Sequence, residues 1–468
     1  MNAIYDGLMY LTGWPLAIVL IAGGLYFTVR TGFLQLNMFR ESIRVVFEKP
    51  QVSGHISSFG ALMISTASRV GTGNIIGVST ALCIGGTGSV FWMWITALIG
   101  GASAFVESTL AQIYKRKNPN GTSYGGPSFY IEAACHSKFL AIIFALALIF
   151  TYGVGYNMLA TYNLQSSFQC FNFYQENCHW ITWFFGAVVA VCFLLTIIGG
   201  GSRIAKINGI MVPLMGVLYI VMTIVALCFN FRNIPEMFVD IFRSAFDFKA
   251  IFGGLAGSVL IMGMKRGLYS NEAGIGSAPN AAAAAAVSHP VKQGLVQMLS
   301  VFIDTNLLCT ATALMCLSSG VTPTEELAGA PFVQQALQET FGMLGPMFIV
   351  LAMVLFAFTT LLGNFYYVES NSAYIFGRQP GKISLLIIRI TGAVLIFFGA
   401  SLKIDVAWGI ADIAQCILAF INIPVCIVIG GAAYQALKHY REQLKSGVDP
   451  VFRASEINLR HPTDFWRD

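Results

Sequence analysis

The sequence predicts an all-α polytopic membrane protein, and three observations carry that prediction. The chain has 468 residues, of which 56% are hydrophobic and only 10% charged, with a mean hydropathy of +0.70, whereas soluble domains are usually about one quarter charged. Apolar runs of about 20 residues, the length that crosses a bilayer core, recur from end to end. Basic residues gather in alternate gaps between those runs, which is the pattern that orients membrane helices. No shift in composition marks a soluble domain, so residues 1–468 are expected to form a single transmembrane unit. The net charge of +5 is spread by topology and gives no reason to expect a nucleic-acid partner. The expected partner is the lipid bilayer, around a monomer.

Eleven spans are expected, at roughly 11–29, 56–84, 88–114, 138–168, 181–200, 207–229, 250–266, 293–318, 340–363, 383–401 and 405–435. Residues Met1 to Gly13 lack the basic region of a signal peptide, so the first run reads as a retained span. Every odd gap is basic. Arg30, Arg40, Arg44 and Lys49 follow span one, and Lys115, Arg116 and Lys117 follow span three. Arg203 and Lys206 follow span five, Lys265 and Arg266 span seven, and Arg378 and Lys382 span nine, before a basic tail. The even gaps hold Glu176, Glu325 and Glu326, or mixed charges. The N-terminus is therefore expected outside and the C-terminal tail inside. Setting the first span aside (residues 1–50), two five-helix halves follow at 51–230 and 231–436, with a cytoplasmic tail at 437–468.

Two spans are abnormal. The second carries Arg69, Gly71, Thr72, Gly73 and Asn74 inside an apolar run. Glycines on both sides of one threonine loosen a helix at that point. Unwound backbone at membrane depth is tolerated only where it lines a cavity or meets a ligand. The competing explanation, a close helix crossing through small residues, does not need an arginine and an asparagine, which are costly there. The seventh span holds Gly253, Gly254 and Gly257, and the break is placed there because Lys265 and Arg266 then reach the inner face. Paired interruptions at matching positions of two halves point to a transporter site at the midplane. The first helices of the two halves run in opposite directions, so the repeat is inverted.

Residues Arg266 to Pro279, followed by the alanine run Ala281 to Ala286, read as a cytoplasmic loop and short helix bracing the bundle, with Ser270 or Asn271 as a cap. No nucleophile–base pair accompanies Glu272, and no Cys/His spacing suggests a metal centre, so an enzyme is disfavoured. A channel is usually built from few spans around a symmetric pore. Cys170 and Cys178 flank a polar loop and pair if that loop faces an oxidising compartment. Arg69, Glu107 and Asp304 are intramembrane charges and functional candidates by default. An Arg69–Glu107 latch is expected on the inner side.

The segments GTGNIIGVSTALCIGGTGSVFWMWITALIGG, GGPSFYIE, KRGLYSNEAGIGSAP, HPVKQGLVQMLSVFIDT and AFTT resemble the alanine/glycine:cation symporter family, over most of the chain from about Leu34 to Tyr434. The resemblance implies an architecture similar to the leucine transporter LeuT, a 5+5 inverted-repeat core with one extra N-terminal helix. It implies sodium-driven, sometimes proton-driven, uptake of small neutral amino acids across the bacterial inner membrane, with Na+ as the coupling ion and no organic cofactor. By that resemblance the sodium ligands fall on the carbonyls of Ala67, Val70 and Phe356 and the hydroxyls of Thr359 and Thr360. Asn74 falls where LeuT-like folds place an amide ligand for a second sodium. The substrate carboxylate suits the N–H groups freed at Gly71, Thr72 and Gly73. Its ammonium suits carbonyls at Gly253 to Gly257. Asn157, Asn163 and Gln165 offer a polar wall. The sequence departs from the family pattern at Leu159 to Tyr162, where a Gln-x-Asn pair is expected, and at Asn364, where many members carry Trp. Within the alanine, glycine, serine and glutamine class that the resemblance implies, these departures point away from alanine or glycine and toward a larger or more polar amino acid such as glutamine or serine.

Overall fold

The computed structural model describes residues 2–49, 55–118, 121–247, 251, 258–457, 459 and 463–466. The chain is mostly helical. In order come α1 (Asn2–Leu11), α2 (Trp14–Thr31), the short α3 (Leu34–Asn37) and α4 (Phe39–Val46), α5 (Ser58–Arg69), α6 (Gly73–Gly85) and α7 (Ser89–Ile113). A two-stranded hairpin, β1 (Arg116–Lys117) and β2 (Ser123–Tyr124), precedes α8 (Pro127–Cys135), α9 (Lys138–Ser166), α10 (Asn172–Ile197), α11 (Gly200–Phe229) and α12 (Ile234–Ala245). Then follow α13 (Val259–Asn271), α14 (Pro279–Ala284), α15 (Pro290–Ser318), α16 (Ala330–Phe341), α17 (Leu344–Ile375), α18 (Lys382–Gly399), α19 (Ile404–Ile429) and α20 (Gly431–Lys445). Among the described residues, 9 helices are long and apolar enough to cross a membrane. Two further stretches, α5–α6 and α13–α14, are built of short helical pieces.

Local chemistry starts these helices. Ser57 accepts the Gly60 N–H (3.0 Å), Ser137 the Leu140 N–H (3.2 Å), and Ser258 the Ile261 N–H (3.1 Å), each satisfying a donor that the first turn leaves free. Within spans, hydroxyls such as those of Thr28 and Thr223 bond the carbonyl four residues back (2.7 and 2.9 Å), which lets them sit in an apolar setting. α7 lies at the centre, against α2, α13, α14 and α15, while α17 packs on α5, α9, α11 and α16. Large exposed apolar side chains concentrate on the outer helices, including Leu195, Leu214, Val217 and Ile387, as lipid contact requires.

The bundle has two ends. At one, the C-terminal tail folds back: Phe452 N–H donates to the Ser288 carbonyl (2.9 Å) and Trp466 Nε1 to the Gln112 carbonyl (2.7 Å). Lys115 is buried there. Its ammonium donates to the Ala285 carbonyl (3.2 Å) beneath the rings of Phe465 and Trp466, and burial lowers its pKa to about 7. At the far end α12 packs over the α6–α7 turn, and Thr87 donates to the Asp240 carbonyl (3.2 Å).

The seventh span differs from expectation. Lys265 and Arg266 do not reach a membrane face; they are 6% and 5% exposed in the middle of α13. Asp412 of α19 receives both, at 2.8 Å from Lys265 and 3.2 Å from Arg266, and Arg266 lies 3.9 Å above the Trp408 ring. A counter-charge supplied by another helix removes the need for the interface. Gly253, Gly254 and Gly257 lie outside the described residues. The segment expected as a loop and short helix follows α13 as a turn from Glu272 to Ala278 and the short α14, packed in the interior.

Candidate functional site

The first interruption follows from a few hydrogen bonds. The Gly71 N–H donates to Asn74 Oδ1 (2.8 Å) instead of the Ala67 carbonyl one turn back. The Asn74 N–H bonds the Gly71 carbonyl (3.2 Å), one residue short of the helical partner Val70. Regular helix therefore stops at Arg69, and the carbonyls of Ala67 and Val70 are released from the usual ladder. The chain resumes as a π-turn at Gly73–Gly77, a geometry frequent at functional sites. Gly71 is required, because a Cβ there would collide with Thr360 Oγ1 of α17. Contact of α17 with the break is close throughout: a Cβ on Gly363 would lie 2.6 Å from the Ser68 nitrogen. Thr360 Oγ1 is buried with no partner among the described residues. Thr359 Oγ1 donates back to the carbonyls of Leu355 (3.0 Å) and Phe356 (3.1 Å).

The second interruption lies between α13 and α14. Glu272 takes left-handed backbone at φ 55°, unusual for a side chain of its size, and Gly274 (φ 91°) and Gly276 (φ 81°) continue the turn. Its carboxylate joins the two breaks. Ser68 Oγ donates to Glu272 Oε1 (2.7 Å), and Ser277 Oγ donates to Oε2 (2.7 Å). Ser68 Oγ also lies 2.6 Å from Asn364 Oδ1, and Asn364 donates to Asn157 Oδ1 (3.0 Å). Ser270 and Asn271 belong to the last turn of α13 and do not cap the next helix, which follows Ala278.

A π-helical stretch of α15, Phe302–Cys309, brings Asp304 to the same place. Asp304 Oδ1 accepts from Asn74 Nδ2 (2.7 Å), and Oδ2 accepts from Ser270 Oγ and Thr305 Oγ1 (2.8 Å each). Glu107, Glu272, Asp304 and Arg69 are all 1% exposed or less, so three carboxylates face one guanidinium in the interior. None of the four makes an ion pair within 4.0 Å among the described residues. The expected Arg69–Glu107 latch is thus absent. Arg69 donates to the carbonyl and Oε1 of Gln297 (3.2 Å each), and Glu107 accepts from Asn422 Nδ2 (2.7 Å) and the Gly274 N–H (3.4 Å). The neutral partners of each group are close enough to take the bonds that the latch would have used.

On the far side of the break, Asn163 Nδ2 donates to Thr72 Oγ1 (3.1 Å), leaving Asn163 Oδ1 buried and unpartnered. Tyr269 covers Gly73 and packs against Tyr156 and Trp408, with ring centroids 4.8 and 4.9 Å away. Gln165 is not part of this group; it turns toward Thr182 of α10 (3.5 Å). Ser68, Ser270 and Glu272 were missed as site residues. Their signal was present in an acid followed by Gly274, Gly276 and Pro279, a run unsuited to a plain loop-to-helix link. Cys170 is a free thiol whose Sγ lies 3.7 Å from the Ser167 carbonyl, and the side chain of Cys178 is outside the described set.

Residues 2–454 match the model of the sodium:alanine symporter family. The chain belongs to that family. Among curated relatives, it is 40% identical over 451 residues to the amino-acid carrier protein AlsT of Bacillus subtilis, covering 96% of this chain and 94% of that one. It is 37% identical over 453 residues to the probable sodium/glutamine symporter GlnT of the same organism, covering 96% and 93%. A crystal structure of MhsT with L-phenylalanine superposes with a TM-score of 0.56 at 13% identity, over 84% of this chain and 97% of that one, which places the fold among LeuT-like transporters. This sodium:alanine symporter family member is therefore a multi-pass carrier for cation-coupled amino-acid transport, not an enzyme.

Proposed function

We propose that this family member carries a small neutral amino acid inward together with sodium, by alternating access across the bacterial inner membrane. The observation that carries this reading is the first break. Two helical carbonyls are released there, and Thr360 Oγ1 and Asn163 Oδ1 are buried beside it without partners among the described residues. Buried polar atoms are nearly always satisfied, so a set of unsatisfied ones around unwound backbone is a place for cargo. Sodium is a hard cation that takes several oxygen ligands. The carbonyls of Ala67 and Val70 with Thr360 Oγ1 supply oxygens at one point. Thr359 and the Phe356 carbonyl join once they release each other. Asp304, with Asn74, Ser270 and Thr305, forms a second oxygen-rich cluster, and its charge suits a second cation.

The substrate carboxylate is held by the N–H groups at Thr72 and Gly73, joined by that of Gly71 once Asn74 Oδ1 gives it up, at the positive end of the resumed helix. Its ammonium is attracted by the surplus of carboxylates, Glu107, Glu272 and Asp304 against Arg69. Tyr269 limits the side chain. The names of relatives that specify alanine or glutamine agree with a small or medium neutral substrate, and alanine, glycine, serine and glutamine form the class. The chain crosses the membrane eleven times: the nine long helices plus α5–α6 and α13–α14. These form two inverted five-helix repeats, 51–230 and 231–436, behind one extra N-terminal helix. The end that carries the folded-back tail faces the cytoplasm, and the N-terminus lies outside.

A second reading, proton coupling, is favoured by the same three carboxylates, since protons can neutralise those that Arg69 does not balance. Uptake by reconstituted vesicles decides between the two. With sodium outside and no pH gradient, accumulation of alanine or glutamine supports sodium coupling. Accumulation that needs an inward proton gradient and ignores replacement of sodium by potassium supports the second reading. Uptake of lysine or glutamate independent of sodium contradicts both.

A further inference from the structure

A groove of about 580 Å³ opens sideways toward the lipid, behind the first break. Ile43 and Phe47 of α4, Met63 and Val70 of α5, Val217 of α11 and Leu308 of α15 line it. Its rim is exposed and apolar, with Phe47 77% and Val217 64% accessible, so within a membrane hydrocarbon fills it. A second groove of about 310 Å³ lies alongside, lined by Leu36 and Leu98 among others. Phe39 and Phe302 line both grooves and meet edge to face, with centroids 5.0 Å apart. Two parallel apolar grooves separated by one aromatic pair match an amphiphile with two chains.

Charge identifies the head. Arg40 stands three and seven residues before Ile43 and Phe47, on the same face of α4. Lys206 stands seven and eleven residues before Pro213 and Val217, on the groove face of α11. Both side chains are exposed and make no ion pair among the described residues. Both precede the apolar lining at the end of the bundle that carries the tail. Basic residues at such a boundary attract anionic lipid heads.

We infer that the double groove is a binding site for one diacyl phospholipid with an anionic head. One chain lies on each side of the Phe39–Phe302 pair, and the head is held by Arg40 and Lys206. Its larger groove ends on Thr66 and Val70, and Thr66 Oγ1 is 3.0 Å from Ser300 Oγ of α15. A chain seated there supports the α5–α15 contact directly behind the first break, so the lipid favours one position of α5.

The test is native mass spectrometry of the full chain, purified in mild detergent and offered phosphatidylglycerol, phosphatidylcholine or diacylglycerol of equal chain length. The wild type is expected to retain one phosphatidylglycerol in preference to the other two. Gly216→Trp fills the larger groove, since a Cβ at Gly216 meets nothing within 4 Å, and it should lose the retained lipid; Gly216→Leu is the milder version if the tryptophan form is not recovered. Arg40→Gln and Lys206→Gln should each reduce the preference for phosphatidylglycerol about fivefold while leaving chain binding intact. Retention by the wild type without regard to head, or retention by both Gly216 variants equal to that of the wild type, overturns the assignment.

Discussion

Two groups of buried charge lie within a few turns of each other, and they are built in opposite ways. In the far half of α13, Lys265 and Arg266 share Asp412 at 2.8 and 3.2 Å, with Trp408 beneath the guanidinium. At the two breaks, Glu107, Glu272 and Asp304 face Arg69, and each is held only by neutral donors or acceptors. The first group is closed: each charge has an opposite partner, and through Trp408 it supports Tyr269 over Gly73. The second is open, with three carboxylates against one guanidinium and no ion pair among the described residues, whereas unpartnered polar atoms occur beside both groups, Arg266 Nε and Trp408 Nε1 at the first and Arg69 Nε and Nη2 at the second. On the function proposed above, pairing separates charges that hold the scaffold from charges that await a cation.

The comparison fails if the two groups respond alike to neutralisation. Asp412→Ala leaves two buried cations without a partner and should cost about 3–5 kcal/mol of stability, seen as a large fall in unfolding temperature. Replacing Lys265 and Arg266 by Met in the same chain should recover much of it. Glu107→Gln removes a charge from a group that has too many, so its unfolding temperature should stay close to that of the wild type while uptake falls. Equal destabilisation by Asp412→Ala and Glu107→Gln would abolish the distinction.

The contact that seals the open group comes next. A Cβ on Gly71 meets Thr360 Oγ1. Gly71→Ala should therefore cost about 1–3 kcal/mol through overpacking and lower sodium affinity with it. The Gly71→Ala, Thr360→Ser pair should recover stability more than uptake. If Gly71→Ala retains wild-type sodium dependence, the contact of α5 with α17 is not the ion site.

These two groups also show how far the sequence could be read. The first break was legible because glycines flank Thr72 next to Arg69 and Asn74, a local signal. The helices, and the position of Thr359 and Thr360 opposite the break, followed from hydropathy and family resemblance. The second break is expected at Gly253 to Gly257, outside the described residues, because Lys265 and Arg266 look like residues that end a span; their burial and the turn at Glu272 to Gly276 are not legible locally. The residue that pays for their burial is Asp412, 146 positions from Arg266, and no local pattern announces it. For the same reason Arg69 and Glu107 were expected to pair, whereas Gln297 and Asn422 take their hydrogen bonds. Long-range partners decide whether a membrane charge is paired, and one sequence does not display them.

A smaller effect comes from Lys115, a third buried charge that has a carbonyl and two rings but no ion pair with a carboxylate among the described residues. Burial lowers its pKa to about 7 from the ordinary 10.5. Between those values the unfolded chain holds a proton that the folded one lacks. Stability should rise with pH across that window, by up to about 1.4 kcal/mol per pH unit from this group, and be flat below it. Lys115→Met should flatten that rise. A slope unchanged in Lys115→Met would assign it to other groups.

The central claim is that sodium and the amino acid meet at the first break, so their binding is coupled and the coupling is reciprocal. The most direct measurement is the unfolding temperature of the purified protein with alanine or glutamine, in sodium and in potassium, for the wild type and Thr360→Val. A ligand bound only to the folded state adds about 2.7 kcal/mol at a hundred times its Kd. The account predicts a larger shift by the amino acid in sodium than in potassium for the wild type, and no such difference for Thr360→Val. Equal shifts in both salts for the wild type, or an undiminished sodium effect in Thr360→Val, would contradict it.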